Sequence, residues 1–238
     1  MPARQAAAAV AVERWIKTEI SVVIPVYNEQ ANLQDLLDSL VAIPGTEVIV
    51  VDGGSSDMTR EIIALFPQIK FQFSAKGRAG QMNQGALAAA GRVLFFLHAD
   101  STLPADWVTA VAGISDHSWG FFRTRLSGER RIFRIIETLM DIRSCATAIA
   151  TGDKGIFVAR ELFAAIGGFP PLPLMEDIEI SKKLKKKAKP VCVDKKITTS
   201  SRRWENKGIA RTILLMWKIR LLYFFGMDAD QLGKMYER

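Results

Sequence analysis

The amino-acid sequence predicts an α/β fold built on a mostly parallel central sheet with helices on both faces. Three observations carry this prediction. Short strand-like runs recur at 20–26, 47–51, 69–73 and 92–97, the first of them rich in β-branched residues. Segments with helical spacing stand between them, and polar clusters close three of the four runs. Continuous apolar strands alternating with amphipathic helices mean a sheet covered on both faces, and such sheets collect ligands at the carboxyl ends of their strands.

The elements follow in order. Ile20 to Val26 forms the first strand and breaks into Tyr27-Asn28-Glu29. Leu33, Leu36, Leu37 and Leu40 then recur at helical spacing. Glu47 to Val51 is a second buried strand, ending in Asp52-Gly53-Gly54-Ser55-Ser56-Asp57. A helix at about 57–66, with Ser56 and Asp57 read as its N-caps, leads to a strand through Ile69 to Phe73. A helix follows Gly77-Arg78, and Arg92 to Leu97 is a fourth strand ending at His98-Ala99-Asp100. Ser118 to Leu126 alternates as a strand, 129–143 has a helix pattern, and Asp153 to Val158 returns to strand. A turn-rich loop, Gly167 to Pro173, delivers the chain to Glu176-Asp177 at the head of another helix. There is no internal repeat or linker.

Composition sets the outer bounds. The chain has 238 residues, 49% hydrophobic and 24% charged, enough for a substantial core and incompatible with disorder or a collagenous chain. The two cysteines, Cys145 and Cys192, lack metal-ligand spacing and are expected as buried, reduced thiols. A net charge of +7 points to anionic partners, with phosphate ligands, nucleic acid and anionic lipid equally consistent. Nucleic acid finds no further support, because the basic residues are not interleaved with aromatics. The first residues carry an alanine-rich run without a leucine h-region, so a leader rather than a secretory signal is expected. No apolar stretch is long enough for a spanning helix.

Four clusters can carry chemistry. Asp52 closes a buried strand before two glycines, where a carboxylate can accept hydrogen bonds from a base or ribose while the glycines admit close backbone approach. It reads equally as a turn aspartate. No GxGxxG follows the first strand, which excludes a dinucleotide-binding dehydrogenase. His98 and Asp100 alternate onto one side, so both can face one metal ion, and a cation holding a diphosphate needs only one or two protein ligands. Arg78 stands in a glycine-rich helix start suited to a phosphate. Glu176 and Asp177 lie in a first helical turn, where the dipole favours acids, yet the preceding loop can hold one at a cleft floor as a proton acceptor.

Pro25-Val26-Tyr27-Asn28-Glu29, Val51 through Thr59, His98-Ala99-Asp100, Gly167-Gly168-Phe169 and Glu176-Asp177 occur in register over about 20–205, and together they resemble glycosyltransferase family 2. Gly77-Arg78, Gln81, Asn83 and Gly85, with Leu97-His98-Ala99-Asp100, resemble its arsenosugar-biosynthesis-type branch. The resemblance implies an inverting GT-A fold, Rossmann-like, with a C-terminal helical extension. It implies domain limits of 1–19 for the leader, 20–205 for the catalytic domain, with a nucleotide half to about 115 and an acceptor half from 116, and 206–238 for an amphipathic helix and tail. Pro25, Tyr27, Glu29, Asp52, Arg78, Asn83 and Ala99 would bind a UDP- or GDP-linked sugar. Asp100 would hold Mn2+ or Mg2+, with His98 standing where the family has an aspartate. Asp177, paired with Glu176, would be the catalytic base. Asp153 and Lys154, which replaces a glutamine of that branch, would touch acceptor or diphosphate. Arg203 could pair the diphosphate, and Trp204 could stack on a sugar or pack under the last helix.

The expected function is transfer of a sugar from a nucleoside-diphosphate donor to a hydroxyl acceptor, with the acceptor and oligomeric state unassigned. A non-catalytic binder of nucleotide sugar or anionic lipid on the same fold, and a nucleotidyltransferase, are the alternatives. The lysine-rich 182–189 reads as a solvated face or as a patch that holds the protein at an anionic bilayer surface. The apolar 209–225, carrying Arg211, Lys218 and Arg220, resembles an interfacial helix or one packed on its own domain or a second subunit. A cytoplasmic protein with peripheral contact to the inner membrane face is expected.

Overall fold

The structure is a computed structural model describing residues 19–237; all but Glu19 of the expected leader lies outside the described residues. The described residues begin with β1 (Ile20–Val26), α1 (Leu33–Leu40), β2 (Thr46–Asp52), α2 (Thr59–Ala64), β3 (Lys70–Phe73), α3 (Arg78–Ala88) and β4 (Val93–Phe96). They continue through β5 (Ser101–Thr102), α4 (Trp107–Ala112), β6 (Trp119–Leu126), α5 (Arg131–Thr147) and a 3-10 turn at Gly152–Lys154. β7 (Ile156–Ala159), α6 (Arg160–Ala165), α7 (Glu176–Lys185) and β8 (Val191–Thr199) come next. The chain closes with α8 (Arg202–Lys207), α9 (Ile209–Phe224) and α10 (Ala229–Glu237).

All eight strands join one sheet in the order β3-β2-β1-β4-β7-β6-β8-β5. β3, β2, β1 and β4 are parallel, as the alternation of strand and helix predicts. β7 runs antiparallel to both β4 and β6, β8 runs parallel to β6, and β5 antiparallel to β8. The register pairs Val26 with Asp52 and Asp52 with Phe73, so β1, β2 and β3 end level on one edge, while β4 ends at Phe96 opposite Val23.

Strand alternation divides the core. Val22, Ile24, Val48, Val50 and Phe95 face α1 and α4, packing with Leu33, Leu37, Trp107 and Val111. Val23, Ile49, Val51, Leu94 and Phe96 face the other way, onto Met82 of α3, Phe163, Phe169 and Ile180. Gly85 lets α3 lie almost on β1, since a Cβ there would sit 2.3 Å from Val23 Cγ1. Gln81 fastens the same helix to the strand ends: its Nε2 donates to the carbonyls of Val26 and Val51, 2.8 Å from each.

Several expectations are corrected. Cys145 and Cys192 are half-buried and form a disulfide, Cα atoms 6.0 Å apart, which ties α5 to β8. The chain fold brings two residues 47 positions apart together, a proximity that spacing alone does not reveal. Asp57 does accept the first-turn N–H of Thr59 at 3.1 Å, but Ser56 is held by Asn28 Oδ1 at 2.8 Å instead of capping α2. β8 was not anticipated. The expected terminal helix and tail is two helices, which pack together through Ile219 and Leu232 and against Leu174 and Met175.

Candidate active site

A cavity of about 640 Å³ opens where the parallel strands end. β1 and the turn after it contribute Pro25, Tyr27 and Glu29; α3 contributes Arg78; the segment leaving β4 contributes His98, Ala99 and Asp100. The far wall comes from Asp153 in the 3-10 turn, Glu176 and Asp177 at the start of α7, and Arg203 and Trp204 in α8. Met140 of α5, Met216, Ile219 and Arg220 of α9, and Tyr236 of α10 complete it. Asp100 and Asp177, far apart in sequence, thus share one cavity.

The backbone explains how the acidic pair is held. Met175 takes φ +71°, a left-handed conformation uncommon for a side-chain-bearing residue, immediately before Glu176 and Asp177. One Asp177 oxygen accepts the N–H of Gly152 at 3.0 Å and the other accepts that of Ile178 at 2.7 Å. Gly152 in turn lies against the His98 ring, where a Cβ would come within 2.6 Å of it. The two carboxyl groups differ in company. Glu176 is buried and lies 3.2 Å from Arg78 Nε; burial pushes it up to about 7, although the arginine pulls the other way. Asp177 is only half-buried; burial also raises its carboxyl, against Arg78 and the two N–H donors.

His98 and Asp100 have the chemistry for a divalent cation. Burial first, and then Arg78, hold the His98 imidazole below its ordinary value, leaving it neutral and able to ligate. Among the described residues Asp100 makes no side-chain hydrogen bond and no ion pair, so its carboxylate is unoccupied by the protein. Burial raises the Glu29 carboxyl, against the Asn32 hydrogen bond, and Asp100 nearby adds repulsion that a cation between the two acids would relieve. Among the described residues no group of three or more His, Cys, Asp or Glu could hold a metal. A hard cation placed here would take one or two ligands, His98 and Asp100, with the rest from phosphate and water.

Other expected residues lie elsewhere. Asp52 does not line the cavity: its carboxylate is fully buried, accepts from Ser55 and lies 2.6 Å from Arg60 Nε. Burial opposes its ionisation, but the Ser55 and Arg60 hydrogen bonds outweigh it and lower the carboxyl. Asn83 also leaves the ligand list, because it pairs with both backbone groups of Phe169, each at 2.9 Å, and so pins the Gly167-Gly168 loop. Lys154 is fully buried, with Nζ 2.5 Å from Asp141 and 3.1 Å from Thr124; a lysine so paired cannot reach a substrate. Arg203 reaches the cavity with its guanidinium stacked 3.5 Å from the Tyr236 ring centroid and bonded to the Tyr236 carbonyl. Trp204 both lines the cavity and packs in the cluster of Phe133 and Ile136.

Sequence reasoning missed Arg60, Tyr236 and Arg143. Arg143 of α5 lies in the field of Asp153 and Asp177, and burial lowers its pKa against their attraction. None of the three stands in a motif, and each joins its partners only through the tertiary fold.

Comparison with known proteins places this arrangement. The polypeptide of Staphylococcus aureus TarS 1–349 superposes with a TM-score of 0.63 at 20% identity, over 77% of this chain and 60% of that one. A Pyrobaculum calidifontis mannosyltransferase, solved in complex with GDP-Man and Mn2+, gives 0.58 at 23% identity over 76% and 56%. The fold is thus GT-A-like: an α/β sheet with a cavity at its strand ends. Residues 21–122 match the family model for glycosyl transferase family 2. A Mycobacterium tuberculosis PGL/p-HBAD biosynthesis glycosyltransferase is 36% identical over 166 residues, 63% of this chain and 62% of that protein. Haloferax volcanii glycosyltransferase AglE is 34% identical over 99 residues, 37% of this chain and 33% of that protein. The match to glycosyltransferase family 2 lies in residues 21–122, and the chain spans one third to just under two thirds of these relatives' lengths.

Proposed function

We propose that the protein is an inverting glycosyltransferase that moves a sugar from a nucleoside-diphosphate donor to an acceptor hydroxyl. The observation that carries this reading is the shared cavity of Asp100, Arg78 and Asp177. The donor's nucleoside would lie toward Pro25, Tyr27 and Glu29, and its diphosphate between Arg78 and the His98-Ala99-Asp100 segment. UDP and GDP-mannose complexes of structurally similar proteins support a nucleotide sugar as the donor class.

The acceptor oxygen attacks the anomeric carbon from the face opposite the diphosphate. As that bond forms, the bond to the diphosphate oxygen breaks, and Asp177 takes the hydroxyl proton. The electron pair leaves with the nucleoside diphosphate. Arg78 places fixed positive charge where negative charge develops, the arrangement that stabilises such a transition state most. Asp100, with His98, would hold Mn2+ or Mg2+, which supplies further neutralisation of the leaving diphosphate. Glu176 keeps Arg78 aimed across the cavity rather than acting on the acceptor. Asp153 borders the same wall, facing the acceptor side.

The test is Asp177→Asn. The amide keeps the shape, so donor binding, read by thermal shift with a nucleotide sugar and Mn2+, should stay near that of the native protein. The kcat should fall by about two to four decades, the usual worth of a positioned base. Loss of donor affinity with kcat intact would contradict the assignment. Release of pyrophosphate in place of a nucleoside diphosphate would favour a nucleotidyltransferase.

A further inference from the structure

Two helices carry apolar side chains that nothing in the described residues covers. In α9, Leu214, Trp217, Leu221 and Phe224 recur at intervals of three and four, with Phe225 beside the last, and these residues are 58–82% exposed. In α5, Ile132, Ile135, Leu139 and Ile142 repeat that spacing at 41–63% exposed. Neither stripe is a core face turned outward by accident. The neighbouring flanks of the same helices are already buried together, with Phe133, Ile136 and Met140 of α5 packing in one cluster with Ile209 and Ile213 of α9. Each helix therefore has a second apolar side. A contiguous exposed apolar surface of this kind marks an interaction site.

Charge identifies the occupant. Residues 209–224 contain Arg211, Lys218 and Arg220 and no acidic residue. At about 100° per residue, Arg211 and Lys218 fall along one border of the α9 stripe and Arg220 along the other. An apolar stripe bordered by cations fits a surface with an apolar interior and an anionic rim, the profile of a bilayer containing acidic headgroups. No helix among the described residues is long and apolar enough to cross a membrane, so the fit is interfacial. Self-association would set these cations against each other at the edge of a symmetric contact.

We propose that the α9 stripe, with that of α5 beside it, seats the protein on an anionic membrane surface, Trp217, Leu221 and Phe224 entering the headgroup–acyl boundary and Arg211 and Lys218 meeting lipid phosphates. The other side of α9 supplies Met216 and Ile219 to the cavity wall. A seated protein thus holds its cavity about one helix diameter, roughly 10 Å, from the lipid. The proposal goes beyond sugar transfer and is read without donor or turnover.

The experiment is flotation of the full chain with vesicles of phosphatidylcholine containing phosphatidylglycerol and with vesicles of phosphatidylcholine alone. The protein should float with the anionic vesicles and be released by salt, with binding to phosphatidylcholine alone about tenfold weaker or less. Trp217→Glu combined with Leu221→Glu should abolish flotation with the thermal midpoint held. Arg211→Glu with Lys218→Glu, which leaves every apolar contact in place, should weaken it about tenfold or more and decides the matter if the first variant misfolds. Native protein that stays at the bottom of the gradient, or variants that float as well as it does, would overturn the proposal. So would a native dimer in sedimentation that Trp217→Glu/Leu221→Glu converts to monomer, since the face would then belong to a second copy.

Discussion

Two adjacent carboxylates, Glu176 and Asp177, are given different work by their neighbours. Glu176 faces Arg78 and is buried, while Asp177 is braced by two backbone N–H groups and stays open to the cavity. Both carboxyls are raised by burial, Glu176 to about 7. An acid whose folded pKa lies above its unfolded value stabilises the fold fully below the unfolded value, and that contribution is lost as pH rises to the folded one. Without ligands, the Glu176 contribution to unfolding free energy should therefore decline between about pH 4.5 and 7, and the difference in stability between native protein and Glu176→Gln in urea titrations should change by that amount across the range. Activity runs the other way. The proton on Asp177 must leave before it can act as a base, so the acidic limb of kcat should lie above the ordinary aspartate range. A limb at the ordinary value would argue against Asp177. A third expectation concerns Lys154: replacing it with Met leaves Asp141 buried and unpaired, which should cost about 3–5 kcal/mol of stability, while donor affinity in the folded fraction stays unchanged.

The same residues mark what spacing reveals. Arg78, His98, Asp100 and Asp177 were legible because each stands where a strand ends or a helix begins, and the parallel topology points those ends at one place. Asp52, Asn83 and Lys154 carry ligand-like chemistry at ligand-like positions, yet Arg60, the Phe169 backbone and Asp141 occupy them. Pairing of that kind depends on side-chain direction, which sequence does not print.

At the scale of elements, β1, β2 and β4 announced themselves because they are largely buried on both faces and read as nearly unbroken apolar runs. The edge strand β3 is mostly exposed and was legible only from its aromatic alternation. β8 was not legible: Val191 to Thr199 is half-exposed and mixes lysine, aspartate and threonine with only two fully buried apolar positions. α3 shows a stricter dependence on one residue. With Val23 Cγ1 2.3 Å from the place of a Gly85 Cβ, Gly85→Val should push the helix from β1 and cost about 1–3 kcal/mol or more, read as a shift in the urea midpoint. The Cys145–Cys192 link closes a long loop between α5 and β8. Thiol titration of the denatured, unreduced protein should find no free cysteine, and reduction should lower stability by up to about 4 kcal/mol on loop entropy. Two free thiols before reduction would remove the link.

Over the whole molecule, one cavity gathers side chains from residue 25 to residue 236. The wall of Pro25, Tyr27, Glu29, Arg78 and Asp100 comes from the segment that matches the family, and the opposite wall comes largely from helices beyond it. Tyr236 stacks on Arg203 from the last helix, so the terminal segment is part of the site rather than an appendage. The net charge of +7 suits both a diphosphate donor and an acidic lipid surface. The central claim is that Asp177 and the diphosphate-binding side chains act on a single bound donor. Its most direct measurement is the anomeric configuration of the glycosylated product, followed by NMR with a nucleotide sugar, Mn2+ and acceptor, in native protein and Asp177→Asn. The account predicts inversion relative to the donor, one nucleoside diphosphate released per sugar moved, and loss of both signals in the variant. Retention of configuration, or equal turnover by Asp177→Asn, would contradict it.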